Sequence, residues 1–101
     1  MSDTKQRVLN MINHRSVPIT AKSIAAGAFI LESDDTCPKT REIIRELIAD
    51  GYCIGSTSRG YLLLTTGKEV QEYLNSLMSR QIGISKRIQA VYDSAKERGL
   101  L

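Results

Sequence analysis

A chain of 101 residues, 42% hydrophobic and 25% charged, has room for one ordinary domain with a modest core and excludes a large multi-domain enzyme. Fourteen Lys and Arg against 11 Asp and Glu leave a net charge of +3, which points to nucleic acid or an anionic membrane only if the cations gather on one surface. The longest uncharged stretch, Ser23 to Leu31, falls far short of the roughly 18 residues a membrane span needs, and the N-terminus has no apolar run before a small-residue cleavage site, so a cytoplasmic protein is expected.

Asp3 followed by Gln6 reads as a capping box, and Val8, Leu9 and Ile12 then share a face, which predicts a first helix over 4–14. His14, at its end, suits the helix dipole and has no nucleophile beside it. Ser16-Val17-Pro18-Ile19 predicts a turn or short edge strand, because proline lacks an amide hydrogen and biases its predecessor towards extended backbone. Thr20 is the expected N-cap of a short second helix lined by Ile24, Ala25 and Ala28, with Gly27 weakening its last turn. Ser33-Asp34-Asp35-Thr36 is loop chemistry and a source of caps for the third helix. That helix has Pro38 in its first turn, buries Ile43, Ile44, Leu47 and Ile48, and stops at Asp50-Gly51. Its other face carries Lys39, Arg41, Glu42, Arg45 and Glu46.

Residues 52–54 and 61–64 are β-leaning runs around a polar tip, Gly55 to Gly60, and predict a hairpin that leans on the helices. Cys37 and Cys53 read as small, partly buried apolar residues. With a single histidine they cannot complete a four-ligand zinc site from Cys and His alone, so no metal or cofactor is expected.

Thr65-Thr66 opens a last helix of about thirty residues ending near Gly99. Along it Val70, Leu74, Leu77, Gln81, Ile84, Ile88, Val91 and Ala95 alternate in steps of four and three, a 3.5-residue seam. Three arrangements would cover such a seam: a coiled coil between two copies of the chain, a groove in another protein, or a fold-back at Gly83. The flanking Arg80 and Arg87 have no acidic counterparts at matching sites, so parallel and antiparallel pairings both stay open. The expected organisation is a domain over 1–66 and a long C-terminal helix over 67–101, with a dimer seam at Leu74, Leu77, Gln81, Ile84, Ile88, Val91 and Ala95.

The order helix, extended segment, helix, helix, hairpin resembles a winged helix-turn-helix domain of the kind found in small bacteriophage proteins and bacterial regulators. The likeness covers residues 4–65. Pro18 to Ala25 looks like the opening of that family's second helix, and Lys39 to Leu47 like its recognition helix. Asp50 to Tyr61, with its Gly-Tyr, polar tip, Gly-Tyr pattern, is similar to its wing. The fold implied is α+β, mostly α, with three helices, a two- or three-stranded wing and a long C-terminal helix.

The resemblance implies that the third helix enters the major groove and the hairpin tip follows the phosphates. Lys39, Thr40, Arg41 and Arg45 are then the candidate base and phosphate contacts, helped by the free amides of the helix N-terminus, and Thr57, Ser58 and Arg59 are the candidate backbone contacts. The connection to this helix is about four residues longer than the family's usual turn and carries Glu32, Asp34 and Asp35, which repel DNA unless the loop is folded away and its aspartates merely cap the helix. Glu42 and Glu46 dilute the basic face unless Arg41 or Arg45 neutralises them.

The expected function is sequence-specific binding of double-stranded DNA by a homodimer of prokaryotic or phage type, as a transcriptional regulator or replication accessory. The alternative is a winged helix that binds protein, such as an inhibitor of a host enzyme, with Lys39, Arg41 and Arg45 merely solvated. An enzyme is not expected, since neither a nucleophile with its base nor a carboxylate pair can be nominated.

Overall fold

In the computed structural model, which describes residues 1–13 and 17–101, the chain runs α1 (Asp3–Asn13), α2 (Ala21–Gly27), α3 (Pro38–Ala49), β1 (Ile54–Thr57), β2 (Gly60–Leu63) and α4 (Gly67–Glu97). The class is α+β and mostly helical. The chain divides into two units, Met1–Thr66 and Gly67–Leu101.

In the first unit, α1 starts earlier than the capping-box reading had it. Ser2 is the cap: its Oγ accepts from the Lys5 amide at 3.2 Å, and its carbonyl accepts from the Gln6 amide at 3.0 Å. Asp3 instead lies in the first turn, where a negative charge favours the dipole. Val8, Leu9 and Ile12 are buried as their spacing predicts. The expectation for His14, and for Ser16 in the following turn, falls outside the described residues.

Thr20 caps α2 in extended conformation, its Oγ1 accepting from the Ser23 amide at 3.2 Å. Gly27 does more than weaken the last turn. A Cβ there would stand 2.2 Å from the Met11 methyl, so its absence lets Met11 lie against the helix. Beyond the helix Phe29 takes the left-handed position (φ 58°), while the Ile30 amide closes on the Ala25 carbonyl at 2.9 Å.

Helix α3 buries Thr40, Ile44 and Leu47, which share one stripe by 3.6-residue spacing, and half-buries Ile43. Ile48, expected in the core, is 45% exposed, because one residue past Leu47 the helix has turned about 100° away. The core joins Val8, Ile12, Ile24, Ile44, Leu47 and Ile54 across three helices and the hairpin. Each such aliphatic contributes about 1.5–3 kcal/mol on burial.

The hairpin pairs antiparallel, with Ile54 opposite Leu63 and Thr57 opposite Gly60. Its tip is therefore only Ser58 and Arg59, shorter than the Gly55–Gly60 loop the sequence suggested. Gly55 to Thr57 are drawn into the ladder. Ile19 adds a third, one-residue rung, exchanging two 2.8 Å backbone hydrogen bonds with Tyr61. Gly60 is needed there: its φ is +129°, and a Cβ would sit 2.3 Å from the Ile19 carbonyl oxygen. Cys37 is buried, whereas Cys53, expected to be partly buried, is exposed.

The second unit is a single helix. Over its 31 residues α4 is about 46 Å long and buries no side chain. It starts at Gly67, two residues later than expected, and continues without a break through Gly83, so the fold-back at that residue, one of the three arrangements that would cover the seam, does not occur. Just past its end at Glu97, Gly99 takes a positive φ (71°) and the Leu100 amide closes on the Ala95 carbonyl at 2.9 Å. Among the described residues no helix is long and apolar enough to cross a membrane.

Candidate nucleic-acid interface

The start of α3 is built differently from the sequence expectation. Its N-cap, Cys37, sits in left-handed conformation (φ 54°) and offers no side-chain cap, and Pro38 has no amide to satisfy. The two amides that remain free in the first turn are taken by Glu32, seven and eight residues upstream: Lys39 N–H donates to Oε1 at 3.0 Å and Thr40 N–H to Oε2 at 2.7 Å. The helix end thus already holds an anion, one supplied by its own connecting loop. Desolvation pushes the Glu32 carboxyl up, but hydrogen bonding from Thr40 and Lys39, with the Lys39 charge, outweighs it and holds the group below the usual glutamate range.

The residues expected to cap the helix do other work. Asp34 Oδ1 accepts from both the amide and the hydroxyl of Thr36, which lowers its pKa and tightens the turn before Cys37. Asp35 lies 3.8 Å from Lys22, an exposed pair of little energetic weight. At the other end of α3, Lys5 reaches Asp50 at 2.6 Å and Glu46 at 3.8 Å, and its own pKa is raised, chiefly by the Asp50 hydrogen bond. Most of the acids near α3 are therefore engaged within the unit. Glu42 is exposed, and among the described residues it forms no ion pair with Arg41 or Arg45, so it dilutes the basic face of the helix.

Two of the candidate contacts change role. Thr40 is fully buried beneath α3 and cannot touch a ligand at the surface. Its place on the Thr40–Ile44–Leu47 stripe was legible from spacing alone. Arg41 is exposed at residue level, yet its guanidinium is tethered: Nε donates to the Thr36 carbonyl at 2.6 Å and Nη1 to the Tyr61 hydroxyl at 2.7 Å, with the group 5.9 Å from the Tyr61 ring centre. It ties α3 to β2 and to the loop before α3. Tyr61 and Glu32 are the two residues that sequence reasoning missed. A helix beginning Cys-Pro, with no hydroxyl or amide side chain at the cap, was the available signal that an acceptor must arrive from elsewhere.

Lys39, Arg45 and Arg59 remain as exposed cations, and among the described residues neither Arg45 nor Arg59 forms an ion pair. Arg59 stands at the two-residue hairpin tip, fixed by its own amide donating to Thr57 Oγ1 at 3.0 Å, while the Thr57 hydroxyl in turn reaches the Gly60 carbonyl at 3.2 Å. Thr57 and Ser58 are exposed beside it. Lys39 and Arg45 are six positions apart on α3, and Ile44 and Leu47 on the opposite side anchor the helix that presents them. Among the described residues no three of His, Cys, Asp and Glu gather in a way that could hold a metal ion. No protein-family model matches the chain, and no curated protein or solved structure matches it either.

Proposed function

We propose that residues 1–66 form a winged helix-turn-helix module that binds duplex DNA, and that two copies joined through α4 act as a homodimer of phage or prokaryotic type, in transcriptional regulation or replication. The observation that carries this reading is the division of charge around α3. Glu32, Asp34, Glu46 and Asp50 have partners within the unit and Asp35 a weak exposed one, which leaves Glu42 as the exposed acid between them, while Lys39, Arg45 and Arg59 keep their charges exposed on a helix and a hairpin tip. Exposed cations are what phosphate recognition needs, and of these three Lys39 also feels the Glu32 charge, while Arg45 and Arg59 form no ion pair among the described residues.

The reading differs from the expectation at the helix end. Because Glu32 fills the first-turn amides, phosphate contacts fall to Lys39, Arg59 and the hydroxyls of Thr57 and Ser58. Arg45 becomes the candidate for base reading, and Arg41 a brace that holds α3 to the hairpin. Alanine at Lys39, Arg45 or Arg59 is expected to weaken binding by about 1–3 kcal/mol where the side chain reads a base, and to reduce the salt slope by about one where it meets a phosphate. Fluorescence anisotropy against a salt series reads both, and thermal midpoints should barely move because none of the three is buried. Affinity unchanged across all three variants overturns the reading.

A second reading has its own observation. Phe29 and Leu31, 80% and 86% exposed on the segment after α2, are apolar groups at the surface, with Arg7 stacked 5.5 Å from the Phe29 ring centre. Such groups suit a protein partner better than a phosphate backbone. Failure to retain duplex DNA at low ionic strength, together with loss of partner capture on Phe29→Ser, is the result that would favour it.

A further inference from the structure

Resting on the homodimer proposed above, we infer that α4 pairs in parallel and in register with the α4 of a second copy. The seam places Leu74, Gln81, Ile88 and Ala95 at one set of core positions and Val70, Leu77, Ile84 and Val91 at the other, in an unbroken helix that buries none of them. Of the α4 residues, Leu74, Leu77, Ile84, Ile88 and Val91 are between 39% and 66% exposed. The orientation of the two copies follows from three features of the helix itself.

Gln81 is the first. In a parallel pair each core position meets its own copy, so Gln81 faces the partner's Gln81, and two carboxamides that both donate and accept satisfy one another. In an antiparallel pair the two kinds of core position alternate across the interface, so Gln81 always faces an apolar residue, Ile84 of the partner subunit in the register that aligns all eight layers. Two buried amides would then lack partners.

Arg80 and Arg87 are the second. They flank the core on the same side, and antiparallel pairing brings that side against its own copy. The fully aligned register sets Arg80 against the partner's Arg87 twice over. Sliding by one heptad only exchanges this for Arg80 against the partner's Arg80, or Arg87 against the partner's Arg87. Like charges at such positions oppose the pairing.

The third is what parallel pairing offers these arginines instead. Each flanking residue then meets the opposite flank five positions further along: Arg80 meets the partner's Ser85, and Arg87 meets the partner's Tyr92, an aromatic face for a guanidinium. Tyr73 meets the partner's Met78, a sulfur beside a ring. Arg87 and Tyr92 already line one shallow hollow with Ile88, Val91 and Ala95. The consequence is spatial. Residues 1–66 join α4 at its N-terminal end, so a parallel coil brings the two points of attachment together, whereas an antiparallel coil would hold them about 45 Å apart.

Engineered cysteines test the orientation in the full chain carrying Cys53→Ser, with buried Cys37 left in place. Under mild oxidation, Leu74→Cys alone and Val91→Cys alone are each expected to form a covalent dimer, and an equimolar mixture of the two should add little heterodimer. Cross-linking confined to the mixture overturns the parallel arrangement and leaves the dimer standing. A monomeric mass by sedimentation, with no cross-link in any sample, overturns both, and duplex binding by the same protein reports separately on the DNA reading. Arg87→Glu supplies a second readout without cysteines. It removes the contact with the partner's Tyr92 and is expected to weaken the dimer about two- to fivefold. Tighter dimerisation would mean that the partner's Arg80 lies opposite, and the parallel arrangement would fall.

Discussion

Glu32 is the residue on which the chemistry of α3 turns. A carboxylate accepting two first-turn amides joins charge-assisted hydrogen bonds to a favourable place in the helix dipole, and here it occupies the amides a phosphate would otherwise use. Its pKa in the folded chain is lowered, as is that of Asp34, so the unfolded chain takes up protons first as the solution is acidified. The stability these caps supply is present in full above the unfolded carboxylate values. It is lost as the pH falls through the folded ones. Glu32→Gln keeps one acceptor and removes the charge, so it should lower the thermal midpoint at neutral pH. It should also flatten the fall in midpoint between about pH 5 and about pH 3. A variant whose midpoint tracks the parent across that range would show that the cap contributes nothing. Lys5 works with the opposite sign: its raised pKa means that its bonds to Asp50 and Glu46 persist until alkaline solution removes the proton.

At the scale of elements, one side-chain pair adds a polar link between α3 and the hairpin to the packing of Ile44 and Leu47 with Ile54. Arg41 reaches Tyr61 across 20 positions of sequence, and Tyr61 in turn anchors Ile19 through its backbone, so three segments meet at one ring. Tyr61→Phe removes the acceptor, Arg41→Ala the donor. Each is expected to cost about 1–2 kcal/mol by chemical denaturation, and the double variant less than the sum by about 0.5–1.5 kcal/mol, because the two changes remove the same bond. Strict additivity would mean that the 2.7 Å contact carries no stability in solution. The contrast between this link and the helices explains what the sequence could reveal. Helices α1 to α3, the Thr20 cap and the hairpin announce themselves by local periodicity and turn chemistry, and those expectations held to within a few residues. The buried Thr40 and the exposed Ile48 were legible too, had the 3.6-residue stripe been followed strictly through α3. The Glu32 cap and the Arg41–Tyr61 tether were not, since each joins residues whose proximity depends on how the intervening chain folds, and no spacing rule reaches that far. Of the residues named for the candidate site, Lys39, Arg45 and Arg59 are exposed as expected, whereas Thr40 is buried and the amides of the helix end are taken by Glu32.

At the scale of the whole molecule, the buried core belongs to one unit and the exposed apolar seam to the other. Every residue of the main core, from Val8 to Ile54, lies before Thr66, whereas α4 buries no side chain and has an apolar seam. A chain ending at Thr66 should accordingly retain a cooperative thermal transition and sediment as a monomer, while the full chain sediments as a dimer. In the proposed complex with DNA the same truncation has a sharper signature. Two linked modules act at a high effective concentration, so losing the link is expected to weaken binding about 10²–10⁴-fold. The slope of log affinity against log salt should fall to about half, because one set of cations replaces two. A weaker affinity with an unchanged slope would mean that only one unit of the dimer touches the duplex. An unchanged affinity would remove α4 from recognition altogether. If the slope halves, each unit brings its own Lys39, Arg45 and Arg59 to the phosphates, and α4 contributes by holding the two sets within reach of one site.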